Sequence, residues 1–350
     1  MDTHTNAHTE TSTDVAIIGA GPVGLFSVFE CGMLGFRSTV IDVLDTAGGQ
    51  CAALYPEKPI YDIPGYPTVM AMELIDRLLE QAAPFKPVYR LGHPVLRMTP
   101  IRPRGTTNDG WRLEIAGGHA VEARAVIIAG GTGAFGPVRL PLAGVERFEG
   151  KSVFYVVRRK ADLAGKRVVI AGGGDSAVDW ALALAGIAAK MWVVHRRDKF
   201  RAAPESVRKM HELAASGALE MVIPYQLAGL EGQGGHLSAV KVATLDGEER
   251  TLDADVVLAF FGLVNNLGPI AEWGITLDQQ KHIFVNPATC ATNLPRVFAV
   301  GDIAAYPGKL KLILSGFAEA AQAAHAIHPI LHPDKALHFE YSTSKGVPGK

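Results

Sequence analysis

Asp14-Val-Ala-Ile-Ile-Gly19-Ala-Gly21-Pro-Val-Gly24 carries a short β-branched run straight into three glycines spaced G-x-G-x-x-G. A helix-like stretch from Pro22 to about Leu34 follows, and Ser38-Thr-Val-Ile-Asp42 reads as a second strand. Strand, glycine turn, helix and strand make a βαβ unit, which requires a parallel sheet. The first glycine permits the tight turn, the second lets a pyrophosphate approach the backbone, and the third lets helix and strand pack closely. Unpaired N–H groups and the helix dipole at such a turn attract phosphates. Asp42 ends the second strand, where a carboxylate accepts a hydrogen bond from a ribose 2′-hydroxyl. Gly19, Gly21, Gly24 and Asp42 are therefore expected to hold an adenine dinucleotide.

The same grammar returns in Arg167-Val-Val-Ile170, the turn Gly172-Gly-Gly174-Asp175-Ser176-Ala177, a helix from Ser176 to about Ala189, and a strand Met191–Val194. A repeated supersecondary unit points to two related nucleotide domains. The second copy ends in His195-Arg196-Arg197, with Lys199 and Arg201 close behind, where an acid would serve a free ribose hydroxyl. Guanidinium pairs bidentately with phosphate, so this cluster suits a ribose 2′-phosphate. Gly172, Gly174, Asp175, Ser176, His195, Arg196, Arg197 and Arg201 are candidates to bind NADPH, not NADH. A third motif, Val297-Phe-Ala-Val-Gly301-Asp302, ends a late strand in a carboxylate able to accept from a polyol hydroxyl. Two dinucleotide sites of different ribose chemistry imply two cofactors. The economical partner for NADPH is FAD, which accepts hydride and can release single electrons.

Glycine- and proline-rich stretches, Gly130–Pro137 and Phe261–Pro269, bracket the middle of the chain. The expected fold is α/β, with two Rossmann-like, three-layer (ββα/βαβ) dinucleotide-binding domains, the NADP domain inserted in the FAD domain. The expected boundaries are a disordered lead-in at 1–12, an FAD-binding domain at 13–138 and 266–350, and an NADP-binding domain at 139–265. The returning segment should hold a strand Arg296–Val300 and a helix at about Leu310–Ile327. Lys+Arg number 34 against 35 Asp+Glu in 350 residues, so no global field draws nucleic acid or an anionic membrane. The apolar stretches fall well short of the roughly 20 residues a membrane span needs, and the polar start has no apolar signal core. Cys31, Cys51 and Cys290 form no CxxC, and an odd count argues against a secreted disulfide framework. The histidines show no metal-ligand spacing. The expectation is a cytoplasmic protein with no metal.

Taken together, Gly19–Gly24, Gly48-Gly-Gln50, Ala53-Leu-Tyr55-Pro-Glu-Lys58, Gly172–Trp180 and His195–Arg201 resemble the thioredoxin reductase-like ferredoxin–NADP reductases, over about residues 13–345. The resemblance implies a homodimeric FAD enzyme that transfers electrons between NADPH and ferredoxin or flavodoxin by hydride transfer to flavin N5. It puts Asp42 on the FAD ribose, Gln50 and Tyr55 at the ribityl and flavin region, and the Tyr55 ring on one flavin face. It also puts Val95 on the adenine through its backbone, Phe135 near the domain crossover, Asp302 on the ribityl chain and Thr343 at the flavin edge. Tyr341 falls where some relatives carry a histidine that stacks on the other flavin face. No side chain is required as nucleophile or general base. Thioredoxin reductases carry a redox CxxC just before the second glycine turn, whereas Ser152–Lys160 contains no cysteine. Without a dithiol there is no exchange with a protein disulfide, so electrons should leave directly from the flavin. The alternatives are an NADPH-dependent reductase (diaphorase) of small quinone, flavin or ferric acceptors, and a redox-sensing flavoprotein.

Overall fold

Side chains alternate across a strand, so Val15 and Ile17 face one side of a sheet and Ala16 and Ile18 the other. The computed structural model describes residues 10–101, 109–279, 281–336 and 346. In it the strand Glu10–Ile18 lies between parallel neighbours Ser38–Ile41 and His119–Ile128. Val15, Ile17, Val40, Ile127 and Phe298 form one core with Val28, Ala323 and Ile327 from the helices Pro22–Met33 and Ile313–Leu331. Ala16, Ile18, Ile41, Ile128 and Val297 form the opposite core with Trp111, Leu113 and Ile115 of an antiparallel meander. Each large apolar side chain so buried contributes roughly 1.5–3 kcal/mol.

His119–Ile128 serves two partners along one edge. Its first half, His119 to Ala123, pairs antiparallel with Gly110–Ile115, while Val126, Ile127 and Ile128 pair parallel with Val297, Phe298 and Ala299. The late strand thereby delivers Gly301 and Asp302 to the same sheet edge as the first glycine turn. There Gly19 N–H donates to Ile41 O (2.8 Å) and Val300 N–H to Ile128 O (3.0 Å).

Contacts divide the chain into two compact units, Met1–Ala134 with Asn265–Lys350, and Phe135–Val264. The second unit has five parallel strands in the order Val153–Phe154, Val256–Phe260, Arg167–Gly172, Lys190–Val194 and Glu220–Val222. Val168, Ile170 and Val193 face the helices Asp175–Ala183 and Pro204–Ala215. Val169, Trp192 and Val194 face an antiparallel sheet of Gln226–Gln233, His236–Ala243 and Glu249–Leu252. The fold is thus α/β with two Rossmann-like units, the second inserted in the first.

Several boundaries differ from the sequence expectation. The first strand begins at Glu10, so 10–12, read as lead-in, pair with Ala120, Val121 and Glu122. The helix after the second glycine turn ends at Ala183, and Gly186 takes a left-handed φ of +78° before the next strand. The late helix runs Ile313–Leu331 with Pro329 inside it, where the proline removes one i→i−4 hydrogen bond near the helix end. No helix among the described residues is long and apolar enough to cross a membrane.

Candidate functional site

The first glycine turn admits nothing larger than hydrogen at two of its three positions. Gly19 has φ +112°, and a Cβ there would lie 2.3 Å from Ala129 O; a Cβ on Gly24 would lie 1.9 Å from Gly19 O. Gly21 caps the helix Pro22–Met33, which has Pro in its first turn and no side-chain cap, so its leading N–H groups are free to meet an anion. Asp42 closes the turn from the side: Ala20 N–H donates to Oδ2 (2.5 Å) and Leu44 N–H to Oδ1 (2.8 Å). Burial raises the Asp42 carboxyl above its usual range, and the Ala20, Leu44 and Val43 amides pull it back. A carboxylate offers about four lone-pair sites, so at least one stays open beside these amides.

Gln50 lies on the short helix Gly49–Leu54, and its Nε2 donates to Thr132 Oγ1 (2.9 Å). A Cβ on Gly49 would come 3.0 Å from Gly21 Cα, so this helix abuts the glycine turn. Tyr55 ends the helix, with the Lys58 ammonium 5.7 Å from its ring centroid. Burial, then Cys51 and Asp302, push the Tyr55 phenol up, which puts these three residues in one neighbourhood. Asp302 sits in the turn Gly301–Ile303, and a Cβ on Gly301 would lie 3.4 Å from the Val23 side chain. Gly19, Gly21, Gly24, Asp42, Gln50, Tyr55 and Asp302 are therefore gathered in one unit. Val95 opens a meander strand of the same sheet, its side chain in the core. Phe135 lies on the strand Ala134–Pro137, with its side chain outside the description, and Tyr341 and Thr343 lie outside the described residues.

At the second turn Gly172 has φ +153°, and a Cβ there would lie 2.5 Å from Phe260 O. The loop after Val194 folds back over this turn. Arg201 N–H donates to Gly173 O (2.7 Å), Ala203 N–H donates to Asp175 Oδ1 (3.0 Å), and a Cβ on Gly173 would strike the His195 ring at 2.1 Å. Gly174 caps the helix Asp175–Ala183 without a side-chain cap, and Asp175 and Ser176 are exposed at its start. Asp175 thus fastens the loop. Arg196, Arg197 and Arg201 are exposed, and no carboxylate among the described residues forms an ion pair with them. Burial, and then the charges of these three arginines, push the His195 imidazole below its usual pKa, against a backbone hydrogen bond involving Lys199.

Two residues of the first unit escaped the sequence reading: Thr132, which anchors Gln50, and Glu319, which accepts the Gly301 N–H (2.7 Å). Glu319 is the sole carboxylate of an alanine-rich helix, a pattern that marks a charge with a buried partner.

All three cysteines are free and buried, and burial pushes Cys31 and Cys290 up to about 12 and Cys51 to about 11. Such thiols stay protonated and inert. A thiol reagent at about pH 8 should label none of them in the folded protein and all of them in denaturant. Rapid labelling of the native protein would contradict this. Because the folded pKa values lie above the ordinary 9.0, the stability linked to these thiols is present below that pH and is lost as pH rises toward 11–12. The triple variant Cys31→Ser, Cys51→Ala, Cys290→Ser, once folded, should keep most of the NADPH-to-acceptor electron transfer that the sequence leads one to expect, as a steady-state assay would show.

Among the described residues no group of three or more His, Cys, Asp or Glu could hold a metal ion. The family described as "Pyridine nucleotide-disulphide oxidoreductase" matches residues 13–327. A protein called ferredoxin–NADP reductase from Paramagnetospirillum magneticum is 58% identical over 337 residues, 96% of this chain and 98% of its own length. One of the same name from Granulibacter bethesdensis is 61% identical over 338 residues, 96% of this chain and 95% of its own. In fold, the chain is similar to a thioredoxin reductase from T. acidophilum, with a TM-score of 0.76 at 24% identity, covering 91% of this chain and 98% of that one. The chain belongs to the pyridine nucleotide-disulphide oxidoreductases and, within them, to the thioredoxin reductase-like ferredoxin–NADP reductases.

Proposed function

We propose that this protein is a ferredoxin–NADP(+) reductase: an FAD enzyme that passes electrons between NADPH and ferredoxin or flavodoxin. The observation that carries this reading is the opposite ribose chemistry of its two glycine turns. Asp42 closes the first with a carboxylate, whereas Arg196, Arg197 and Arg201 surround the second with exposed cations that pair with no carboxylate among the described residues. FAD belongs to 13–138 and 266–350, and NADPH to 139–265. When bound, FAD accepts hydride from NADPH and releases electrons one at a time.

The residues present suit that group. Gly19, Gly21 and Gly24 leave room for a pyrophosphate, with the free helix N–H groups behind it. Asp42 holds the adenosine ribose and Val95 the adenine. Gln50 and Asp302 would orient the ribityl chain and Tyr55 would cover one flavin face, and the family resemblance assigns the other face to Tyr341. The same resemblance assigns Phe135 to the domain crossover and Thr343 to the flavin edge. At the second turn Gly172 and Gly174 admit the NADPH pyrophosphate, Asp175 and Ser176 open its helix, and His195 with the three arginines reads the 2′-phosphate. The three buried thiols would take no part in the electron transfer that bound FAD supplies. The enzyme works as a homodimer in the cytoplasm.

In steady state, NADPH should reduce ferredoxin or flavodoxin faster than small quinone, flavin or ferric acceptors at equal concentration. Preference for the small acceptors would make the protein a diaphorase. Negligible turnover with every acceptor would make it a redox sensor.

A further inference from the structure

Lys309 and Glu319 form an ion pair whose side chains are only 7% and 3% exposed, the most buried pair among the described residues. Glu319 Oε2 accepts the Gly301 N–H (2.7 Å), while Oε1 accepts the Tyr306 hydroxyl (2.5 Å) and the Lys309 ammonium. One turn earlier on the same helix, a Cβ on Gly316 would lie 3.3 Å from Gly301 Cα and 2.4 Å from the Val23 side chain. The helix is therefore seated on both the first glycine-turn helix and the Gly301 turn. Gly301 itself has φ +76°, a conformation that few residues adopt, and Asp302 is the next residue.

We infer that Glu319 is a positioning residue for the flavin site: it fixes the Gly301 turn so that Asp302 meets the ribityl chain, and with Lys309 it keeps the charge beside the flavin balanced. The inference rests on the proposed role of Asp302. A buried ion pair is by itself weak evidence of stabilisation, because apolar replacements of similar volume are often neutral. Position and stability can therefore be separated by substitution. A carboxylate that served packing alone would leave flavin affinity and potential untouched once an apolar pair restored the fold.

Three variants test this. Glu319→Leu combined with Lys309→Met removes the acceptor and both charges; Glu319→Gln keeps an acceptor but unbalances the ammonium; Asp302→Ala probes the turn itself. The readouts are the FAD dissociation constant of the apoprotein, its thermal unfolding, and the midpoint potential of the loaded protein. Asp302→Ala and the double variant should each weaken FAD at least about tenfold, with the double variant still unfolding cooperatively. Glu319→Gln should restore most of that affinity yet shift the flavin potential positive, because an unbalanced cation favours the electron-rich reduced form. Wild-type affinity in the double variant beside a weakened Asp302→Ala overturns the inference. Wild-type affinity in Asp302→Ala removes the reading of the turn on which it rests. Should the double variant fail to fold, Glu319→Gln decides: a positive shift sustains the inference and an unchanged potential overturns it.

Discussion

Gly24→Ala is expected to yield a protein that retains almost no FAD. The added methyl would sit 1.9 Å from Gly19 O, and that neighbour is backbone in a turn whose own glycine, at φ +112°, is fixed against Ala129. No side chain can swing away to relieve the clash. The helix Pro22–Met33 must lift from the strand instead, and its leading N–H groups move with it. Overpacking of this kind costs about 1–3 kcal/mol of stability and occasionally more, while the anion site loses its geometry altogether. Gly21→Ala provides the contrast. Its φ of −72° suits any residue, and the nearest atom to a new Cβ is 3.9 Å away. The apoprotein should unfold as wild type does, yet bind FAD weakly, because the methyl occupies the approach of the pyrophosphate. Flavin content per chain and apoprotein melting check both variants. A Gly24→Ala protein with full flavin content would show that the turn does not hold the cofactor.

Replacing Arg196 and Arg197 together by serine should raise the KM for NADPH at least about tenfold, equivalent to about 1.4 kcal/mol, and leave NADH nearly unaffected. Hydrogen bonds to charged groups contribute roughly 1.5–3 kcal/mol each. Both arginines are exposed, so solvent screening reduces that contribution, and the expected loss is set at its lower end. No carboxylate among the described residues competes for them, so their guanidinium groups are free for a phosphate. The same exposure makes wild-type NADPH binding salt-sensitive, since charges are screened beyond about 10 Å at 0.1 M salt. Steady-state kinetics with both nucleotides at two ionic strengths separates phosphate recognition from a general surface effect. Equal losses for NADPH and NADH would mean that the arginines do not read the 2′-phosphate.

What was legible in the sequence was what neighbouring residues decide. The run Val15–Ile18, the glycine spacing and Asp42 lie within one βαβ unit, and apolar alternation carries the fold because each face of the sheet has its own core. The strand's start at Glu10 was hidden because Thr11 and Ser12 are polar, the first half-buried and the second exposed, so they carry no apolar alternation. The helix end at Ala183 was hidden for the opposite reason: Leu184 to Ala189 keeps a helical composition, and only the left-handed Gly186 breaks it. Glu319 was illegible as a site residue because its partners, Gly301, Tyr306 and Lys309, reach it through tertiary packing across two elements. The clamp of Arg201 and Ala203 on the second turn is equally non-local. His195 stands in the sequence beside Arg196 and Arg197 as a candidate for NADPH, and that its ring covers Gly173 is a further tertiary contact no local pattern shows.

The most direct test of an enzyme that joins NADPH to a one-electron protein partner is an anaerobic single-turnover measurement on the FAD-loaded protein. One equivalent of NADPH is mixed first, and oxidised ferredoxin follows. NADPH should bleach the flavin fully, NADH should do so far more slowly, and each bleached flavin should then reduce two ferredoxins as its colour returns. A flavin that NADPH leaves oxidised, or that once reduced passes its electrons to quinones but not to ferredoxin, would contradict this reading.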